Sequence, residues 1–280
     1  MCRLAAYKGP EIFVSSLLTE PKHSIIHQSY HAKEREEPLN GDGFGIGWFA
    51  PKFCDDPAIF KEVSPAWNNQ NLKDISRVTK SSCIFAHVRA ATVGGHISRT
   101  NCHPFSWGKY AFMHNGTVFE FEKIKRSLRA SLSDKAYQVV NGSTDSEHIF
   151  ALFVDQICEF NEPSIDDVAF SLQSSIAKIE FLKQKFGVET PSTMNLVVSD
   201  GHNLVATKYA SRGGEPDSLY FSQGDNFTCE DGVCKMDSGD KAFIIASEPL
   251  DHSGNWKKVE GNNMVLVNSD GLVKQLKIEV

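Results

Sequence analysis

The sequence predicts an α+β layered domain, with sheets packed together and helices outside, and three observations carry that reading. Predicted strands occupy both ends of the chain and predicted helices its middle, an order that a doubly wound βαβ alternation does not produce. Turn signals at Ser199-Asp200-Gly201 and Ser269-Asp270-Gly271 join neighbouring C-terminal strands as hairpins. The 280 residues are 41% hydrophobic and 23% charged, ordinary globular values for a chain able to close its own core.

Residues 3–8 read as a short buried strand. The spacing predicts helices over 11–18 and 22–35, the second ending in Lys33-Glu34-Arg35-Glu36-Glu37 before Pro38 stops it. His23, His27 and His31 share one face of that helix. Without an acidic or cysteine partner beside them they read as polar surface histidines, not a metal site. Glycines alternate through Asn40-Gly41-Asp42-Gly43-Phe44-Gly45-Ile46-Gly47-Trp48, which rules out a helix. A dinucleotide fingerprint would follow a strand and open a helix. Here a predicted helix precedes and a strand follows, so close backbone packing at a turn is expected.

Strands at 58–63 and 81–90 flank a helix at 68–78, and 86–116 reads as turn and short strand. Helices follow at 120–132, 144–160 and 165–186. The second opens on the capping-box pattern Ser143-Thr144-Asp145-Ser146-Glu147. Beyond Pro191 strands are expected at 193–199, 203–209, 217–222, 241–247, 263–268 and 272–278. The Gly-, Ser- and Asp-rich stretch 211–240 reads as a mobile loop, loose hairpin or insertion. Its Cys229 and Cys234 lack the second ligand pair of a zinc knuckle. With no repeat and no linker, residues 1–280 are expected to form one domain.

The net charge of −6, from 29 basic and 35 acidic residues without a basic run, argues against nucleic acid and anionic membranes as partners. No segment has the pattern of a signal peptide or a membrane span. Seven scattered cysteines argue against a disulfide framework and for a reducing, cytoplasmic setting. A cysteine directly behind Met1 is notable in that setting. Removal of Met1 would give Cys2 a free α-amine, placing a nucleophile and a base on one residue. Their reference pKa values, roughly 7.7–8.0 and about 8.5, make proton transfer between them cost about 1 kcal/mol. The plain alternative for Cys2 is a packed cysteine opening a buried strand.

Three further segments accompany Cys2. They are His87-Val88-Arg89-Ala90-Ala91-Thr92-Val93-Gly94-Gly95, then Asn101-Cys102-His103-Pro104-Phe105 with Met113-His114-Asn115-Gly116, then Thr144-Asp145-Ser146-Glu147. In this order, with the glycine segment at 40–48 and with Ala246-Ser247-Glu248-Pro249-Leu250 and Trp256, they resemble the class II glutamine amidotransferases of the N-terminal-nucleophile (Ntn) hydrolase type. The resemblance covers nearly the whole chain, most closely the short single-domain members. It implies a four-layer αββα sandwich of two mainly antiparallel sheets.

It also implies roles. Cys2, freed of Met1, is the nucleophile. Asn115 (side-chain amide) and Gly116 (backbone N–H) form the oxyanion hole. Arg89 holds the substrate α-carboxylate, a task suited to a planar guanidinium fork. Asp145 receives the α-ammonium, and Thr92 and His103 line the pocket. Each has a plain alternative: a surface salt bridge for Arg89, a helix cap for Asp145, a hairpin turn for Asn115-Gly116, a tight turn for His103-Pro104. The chain departs from better-known members at Ala90, where they carry tryptophan, and at Val93, where they carry histidine.

The implied reaction is hydrolysis of the γ-amide of glutamine or of a γ-glutamyl compound, with no metal or organic cofactor. The small-molecule partner is that substrate. A separate synthase or peptidase subunit is the expected protein partner, since the resemblance leaves no stretch for a fused synthase. Two readings compete with the enzyme: a non-catalytic glutamine-sensing scaffold, and a redox or zinc protein using the scattered cysteines.

Overall fold

A computed structural model describes residues 2–34, 39–91, 96–252 and 254–280. Along its first part run β1 (Arg3–Phe13), α1 (Ser15–Leu18), α2 (Ile25–Tyr30), β2 (Phe44–Ala50), β3 (Cys54–Glu62), α3 (Gln70–Val78), β4 (Lys80–Val88), β5 (Phe105–Trp107) and β6 (Tyr110–Thr117). Helices α4 (Phe121–Ala130), α5 (Asp134–Tyr137), α6 (Asp145–Ile157) and α7 (Ile165–Lys185) follow. The remainder is β7 (Thr193–Ser199), β8 (Leu204–Ala210), β9 (Tyr220–Gly224), β10 (Phe227–Glu230), β11 (Val233–Met236), β12 (Ala242–Ala246), β13 (Lys257–Lys258), β14 (Asn263–Val267) and β15 (Val273–Lys277).

The strands form one sheet in the order β13-β9-β12-β1-β4-β2-β3, a second in the order β15-β14-β8-β7-β6-β5, and the separate hairpin β10-β11. The strand pairings are antiparallel, as hairpin connections allow.

Side-chain alternation along the strands sorts the apolar residues into three cores. Leu4 and Ala6 of β1, Phe85 of β4 and Phe243 and Ile245 of β12 face Ala111 and Met113 of β6, Val197 of β7 and Val265 of β14 between the sheets. The intervening residues Ala5, Tyr7, Ile84, Ala86 and Ile244 turn outward to Leu17, Leu18, Ile25, Ile26 and Leu72 of the short helices. On the far side, Phe112, Leu196, Val198 and Val205 pack against Ile124, Phe150, Phe153, Leu172 and Ile176 of α4, α6 and α7. Burying each such side chain contributes about 1.5–3 kcal/mol. Helix, sheet, sheet, helix is the αββα order that the resemblance implies.

The alternating glycines are explained by what lies over them. Gly45 and Gly47 share the face of β2 that meets the His103-Pro104 segment, where a Cβ on Gly45 would collide with the His103 carbonyl oxygen. Close packing at the entry to a strand is therefore what this pattern encodes.

Four expectations need correction. Residues 11–13 are not helical, because β1 resumes pairing after an irregularity between Lys8 and Ile12, with Ile12 opposite Ser81 and Phe13 opposite Lys80. The helix expected at 22–35 shrinks to α2, capped by the Ser24 side chain, which accepts from the His27 N–H at 3.3 Å. His23 then lies before the helix and is buried against Glu248, its Nε2 2.7 Å from the carboxylate, so it is not a surface residue. The charged run at 35–37 and Pro38 lie outside the described residues. The sequence also argued against a disulfide framework, yet Cys229 and Cys234 face each other across β10 and β11 and are joined by a disulfide.

Candidate active site

Cys2 stands immediately before β1, two residues ahead of Leu4, and so shares the inter-sheet side of that strand. It is half-buried, with Sγ 3.6 Å from the Ala90 carbonyl oxygen. The pairing of Arg3 with Val88 fixes this neighbourhood, carrying the exit of β4 past the front of β1.

Arg89, next after β4, is buried at 5% exposure. Its N–H donates to the Gly43 carbonyl at 2.8 Å, and Asp42 Oδ2 accepts the Ala91 N–H at 2.8 Å. The glycine segment thus pins the loop that carries the guanidinium. The head group itself reaches two carbonyl oxygens, Asp42 at 3.4 Å and His96 at 3.3 Å. Among the described residues no carboxylate lies within ion-pairing distance of it. A buried cation without a counter-ion is costly, so the surface salt bridge reading of Arg89 fails and the guanidinium is suited to pairing with an anion.

Asn115 and Gly116 are not a hairpin turn but the end of β6, paired with Asn195 and Met194 of β7. Asn115 is fully buried, its Nδ2 3.4 Å from Ser247 Oγ, which also accepts the Leu4 N–H at 3.1 Å. This serine ties Asn115 to the strand that begins beside Cys2. At Gly116 a Cβ would collide with the Thr193 carbonyl oxygen, so only glycine lets the backbone run so close to β7.

Asp145 is the first residue of α6, and Thr144 is the cap, its Oγ1 accepting the Glu147 N–H at 3.3 Å. The Asp145 carboxylate instead accepts from Val118 N–H at 2.8 Å and Ser146 N–H at 2.8 Å. That places it beside the exit of β6, just beyond Gly116. The structure therefore brings Cys2, Arg89, Asn115, Gly116 and Asp145 to one end of the inter-sheet layer. Thr92 and Met1 lie outside the described residues.

His103 is enclosed: 3% exposed, it stacks on His87 with ring centroids 4.2 Å apart and meets the Phe105 ring at 4.6 Å. It precedes Pro104 through a cis peptide bond. His87 Nε2 lies 3.2 Å from the His114 carbonyl oxygen. Burial pushes the His87 imidazole down to about 3, and burial followed by the neighbouring His87 pushes His103 well below its ordinary value. Both rings stay neutral while the unfolded chain protonates them below about pH 6.5. Their contribution to stability is thus complete above that pH and is lost as pH falls toward 3. The His87 imidazole is expected to cost about 1.4 kcal/mol per pH unit between pH 6 and 4, and His103 adds to the loss in the same direction. Calorimetry across that range checks this: a flat Tm profile would show that the rings are open to solvent.

Sequence reasoning missed four residues here. Ser247 and Glu248 lie in a segment that the resemblance includes without giving them roles, and no motif assigns one to Arg3 or Asn195. Asn195 is fully buried and donates to the carbonyls of Asp217 at 3.1 Å and Ser218 at 3.2 Å. Their partners are remote in the chain, so no local pattern marks them.

Comparison with known proteins identifies the family. The family model for class II glutamine amidotransferases matches residues 14–279. A Saccharomyces cerevisiae protein named "Probable glutamine amidotransferase DUG3" is 38% identical over 299 residues, covering 98% of this chain and 83% of the relative. The "Gamma-glutamyl-hercynylcysteine sulfoxide hydrolase" of Mycobacterium tuberculosis is 26% identical over 274 residues, covering 97% and 95%. Among solved structures, a glutamine aminotransferase class-II domain protein from Silicibacter pomeroyi superposes with a TM-score of 0.71 at 25% identity, covering 100% of both chains. The glutamine phosphoribosylpyrophosphate amidotransferase of B. subtilis shares the fold, with a TM-score of 0.61 over 99% of this chain and 49% of its own. A matched family model over nearly the whole chain, laid on a site of this composition, leads to one conclusion: the protein is an enzyme that belongs to the class II glutamine amidotransferases.

Proposed function

We propose that this enzyme hydrolyses the γ-amide bond of glutamine or of a γ-glutamyl compound through a thioester on Cys2. The observation that carries the proposal is the buried Arg89 guanidinium, without a carboxylate partner among the described residues, on the residue preceding Ala90, whose carbonyl oxygen lies 3.6 Å from Cys2 Sγ. A substrate α-carboxylate supplies that partner, and Asp145 receives the α-ammonium. The γ-carbonyl then points at the thiol.

After removal of Met1, the Cys2 amine takes the thiol proton and the thiolate attacks the γ-carbonyl carbon. The resulting oxyanion is held by the Gly116 N–H and the Asn115 amide. A half-turn of that amide lets the Ser247 hydroxyl donate to Oδ1 and releases Nδ2 toward the oxyanion. Ser247 Oγ already accepts from Leu4, so its own hydrogen is available for this bond. Collapse expels the amine, protonated by the Cys2 ammonium. Water next cleaves the thioester, returning glutamate and the thiol. Thr92 and His103 complete the proposed pocket, His103 by packing around it.

The relatives differ in their named substrates, which favours a γ-glutamyl donor larger than glutamine for at least part of the group. Their enzymatic names leave the glutamine-sensing scaffold without support. A separate synthase or peptidase subunit remains the partner proposed for a glutaminase role. Among the described residues no helix is long and apolar enough to cross a membrane, and a cytoplasmic location is part of the proposal.

Glutamate release by Met1-free protein from glutamine and from a panel of γ-glutamyl peptides and thiols tests this reading. Turnover of the panel exceeding that of glutamine identifies a free-standing hydrolase, and the reverse identifies a glutaminase. No glutamate from any donor and no γ-glutamyl adduct on Cys2 would overturn it.

A further inference from the structure

The strongest group of charges that the proposed chemistry does not use lies on the opposite face of β1 from the Cys2 thiol. Arg3 and Glu248 are both 1% exposed, with Nε 2.9 Å from Oε1. A buried ion pair is weak grounds for stability, because apolar residues of similar volume often serve as well. What sets this pair apart is where its remaining hydrogen bonds go. Arg3 Nη1 donates to the carbonyl oxygen of Cys2 at 3.0 Å, and Nη2 donates to the carbonyl oxygen of Glu34 at 3.3 Å.

Glu248 accepts the backbone N–H groups of Lys33 at 2.9 Å and Glu34 at 3.1 Å, and lies 2.7 Å from His23 Nε2. Burial alone would push this carboxyl up; the bonds from His23 and Lys33, with the Arg3 charge, hold it down at about 2. Beyond it, Tyr220 donates its hydroxyl to Glu34 Oε1 at 2.7 Å. Apart from the His23 contact, these bonds end on the main chain of the nucleophile or on residues 33–34, which precede the segment holding Arg89.

We propose that Arg3 and Glu248 form a positioning unit for the nucleophile: the guanidinium, fixed by Glu248, holds the Cys2 carbonyl and so the amine and thiol of that residue in register with Arg89. Neither side chain touches the reacting atoms, and both act through the main chain. The inference rests on the proposed Cys2 chemistry, and its test separates the two.

The informative variant is R3M/E248Q, which removes both charges together and avoids stranding one of them buried. With Met1 removal confirmed by intact mass, two readouts are compared with the wild type. The first is kcat and KM on the best γ-glutamyl donor. The second is the rate of Cys2 alkylation by iodoacetamide, read by peptide mass, which needs no substrate. The double variant is expected to melt within a few degrees of the wild type, lose roughly 10²-fold in kcat, keep KM within about threefold, and alkylate at Cys2 at a clearly altered rate. A folded double variant with wild-type kcat and alkylation would show the pair to be structural only and overturn the inference. If the double variant does not fold, R3K, which keeps the charge but not the fork, decides by the same two readouts. If no donor is turned over even by the wild type, the proposed function fails while the alkylation comparison still decides the positioning role.

Discussion

Replacing Cys2 by alanine is expected to lower kcat by about 10⁴-fold or more while leaving the fold intact. The loss is large because the residue supplies both the nucleophile and, through its amine, the general base. Alanine keeps the amine but has nothing for it to activate. The structural cost is small: the residue precedes β1, is half-buried, and its Sγ makes a long contact of 3.6 Å with the Ala90 carbonyl. About 1 kcal/mol of stability or less should follow.

Neither buried thiol can take over. Burial pushes the Cys83 thiol up to about 12 and raises that of Cys102 above its ordinary value, so neither supplies thiolate near neutral pH. A glutamine-mimicking electrophile such as 6-diazo-5-oxonorleucine should accordingly label Cys2 in the wild type and nothing in the variant. Turnover by Cys2→Ala above about one per cent of wild type, or labelling at Cys102, would remove the nucleophile assignment.

The parts of this molecule that could be read from its sequence are those where local pattern and tertiary demand agree. The strand Thr193–Ser199 and the long helix Ile165–Lys185 carry apolar residues at periods of 2 and 3.6 that both match the faces they bury. Reading failed where a distant partner overrode the local preference. Glu11-Ile12-Phe13 looked helical, but β4 offered an edge for pairing. Asn115-Gly116 has the composition of a hairpin turn, yet β7 holds it extended because Gly116 alone can pass the Thr193 carbonyl. His23 sits in a polar-looking segment and becomes buried only because Glu248, from the other end of the chain, comes to meet it.

The site divides in the same way. Cys2, Arg89, Asn115, Gly116 and Asp145 are proposed because motif fragments mark them. Ser247 links Asn115 to β1 and Glu248 pairs with Arg3, and both lie just after β12 in a segment that the resemblance includes without giving either a role. His103 was expected to line the pocket, but its stacking on His87 was invisible, because nothing local announces that two imidazoles will share a dry layer.

Arg89→Met should raise KM for the γ-glutamyl donor and lower kcat/KM by about 10²–10⁴-fold, as expected for losing two hydrogen bonds to a charged group at about 1.5–3 kcal/mol each. The sign of its effect on stability separates this variant from an ordinary core substitution. Breaking a buried ion pair strands a charge and destabilises, but Arg89 has no carboxylate partner to strand among the described residues. Its guanidinium contacts are two carbonyl oxygens at 3.3 and 3.4 Å. Methionine keeps much of the volume and removes the buried charge, so Tm should hold or rise.

Asp145 offers no such separation, because its carboxylate already anchors the Val118 and Ser146 N–H groups and its loss would loosen β6 and α6 together. The arginine variant therefore tests recognition alone. A donor analogue that stabilises the wild type against heat should have no effect on the variant, since ligand stabilisation vanishes with affinity. An unchanged KM in Arg89→Met, or a collapse of its Tm, would show that the guanidinium serves the fold and that the substrate carboxylate is bound elsewhere.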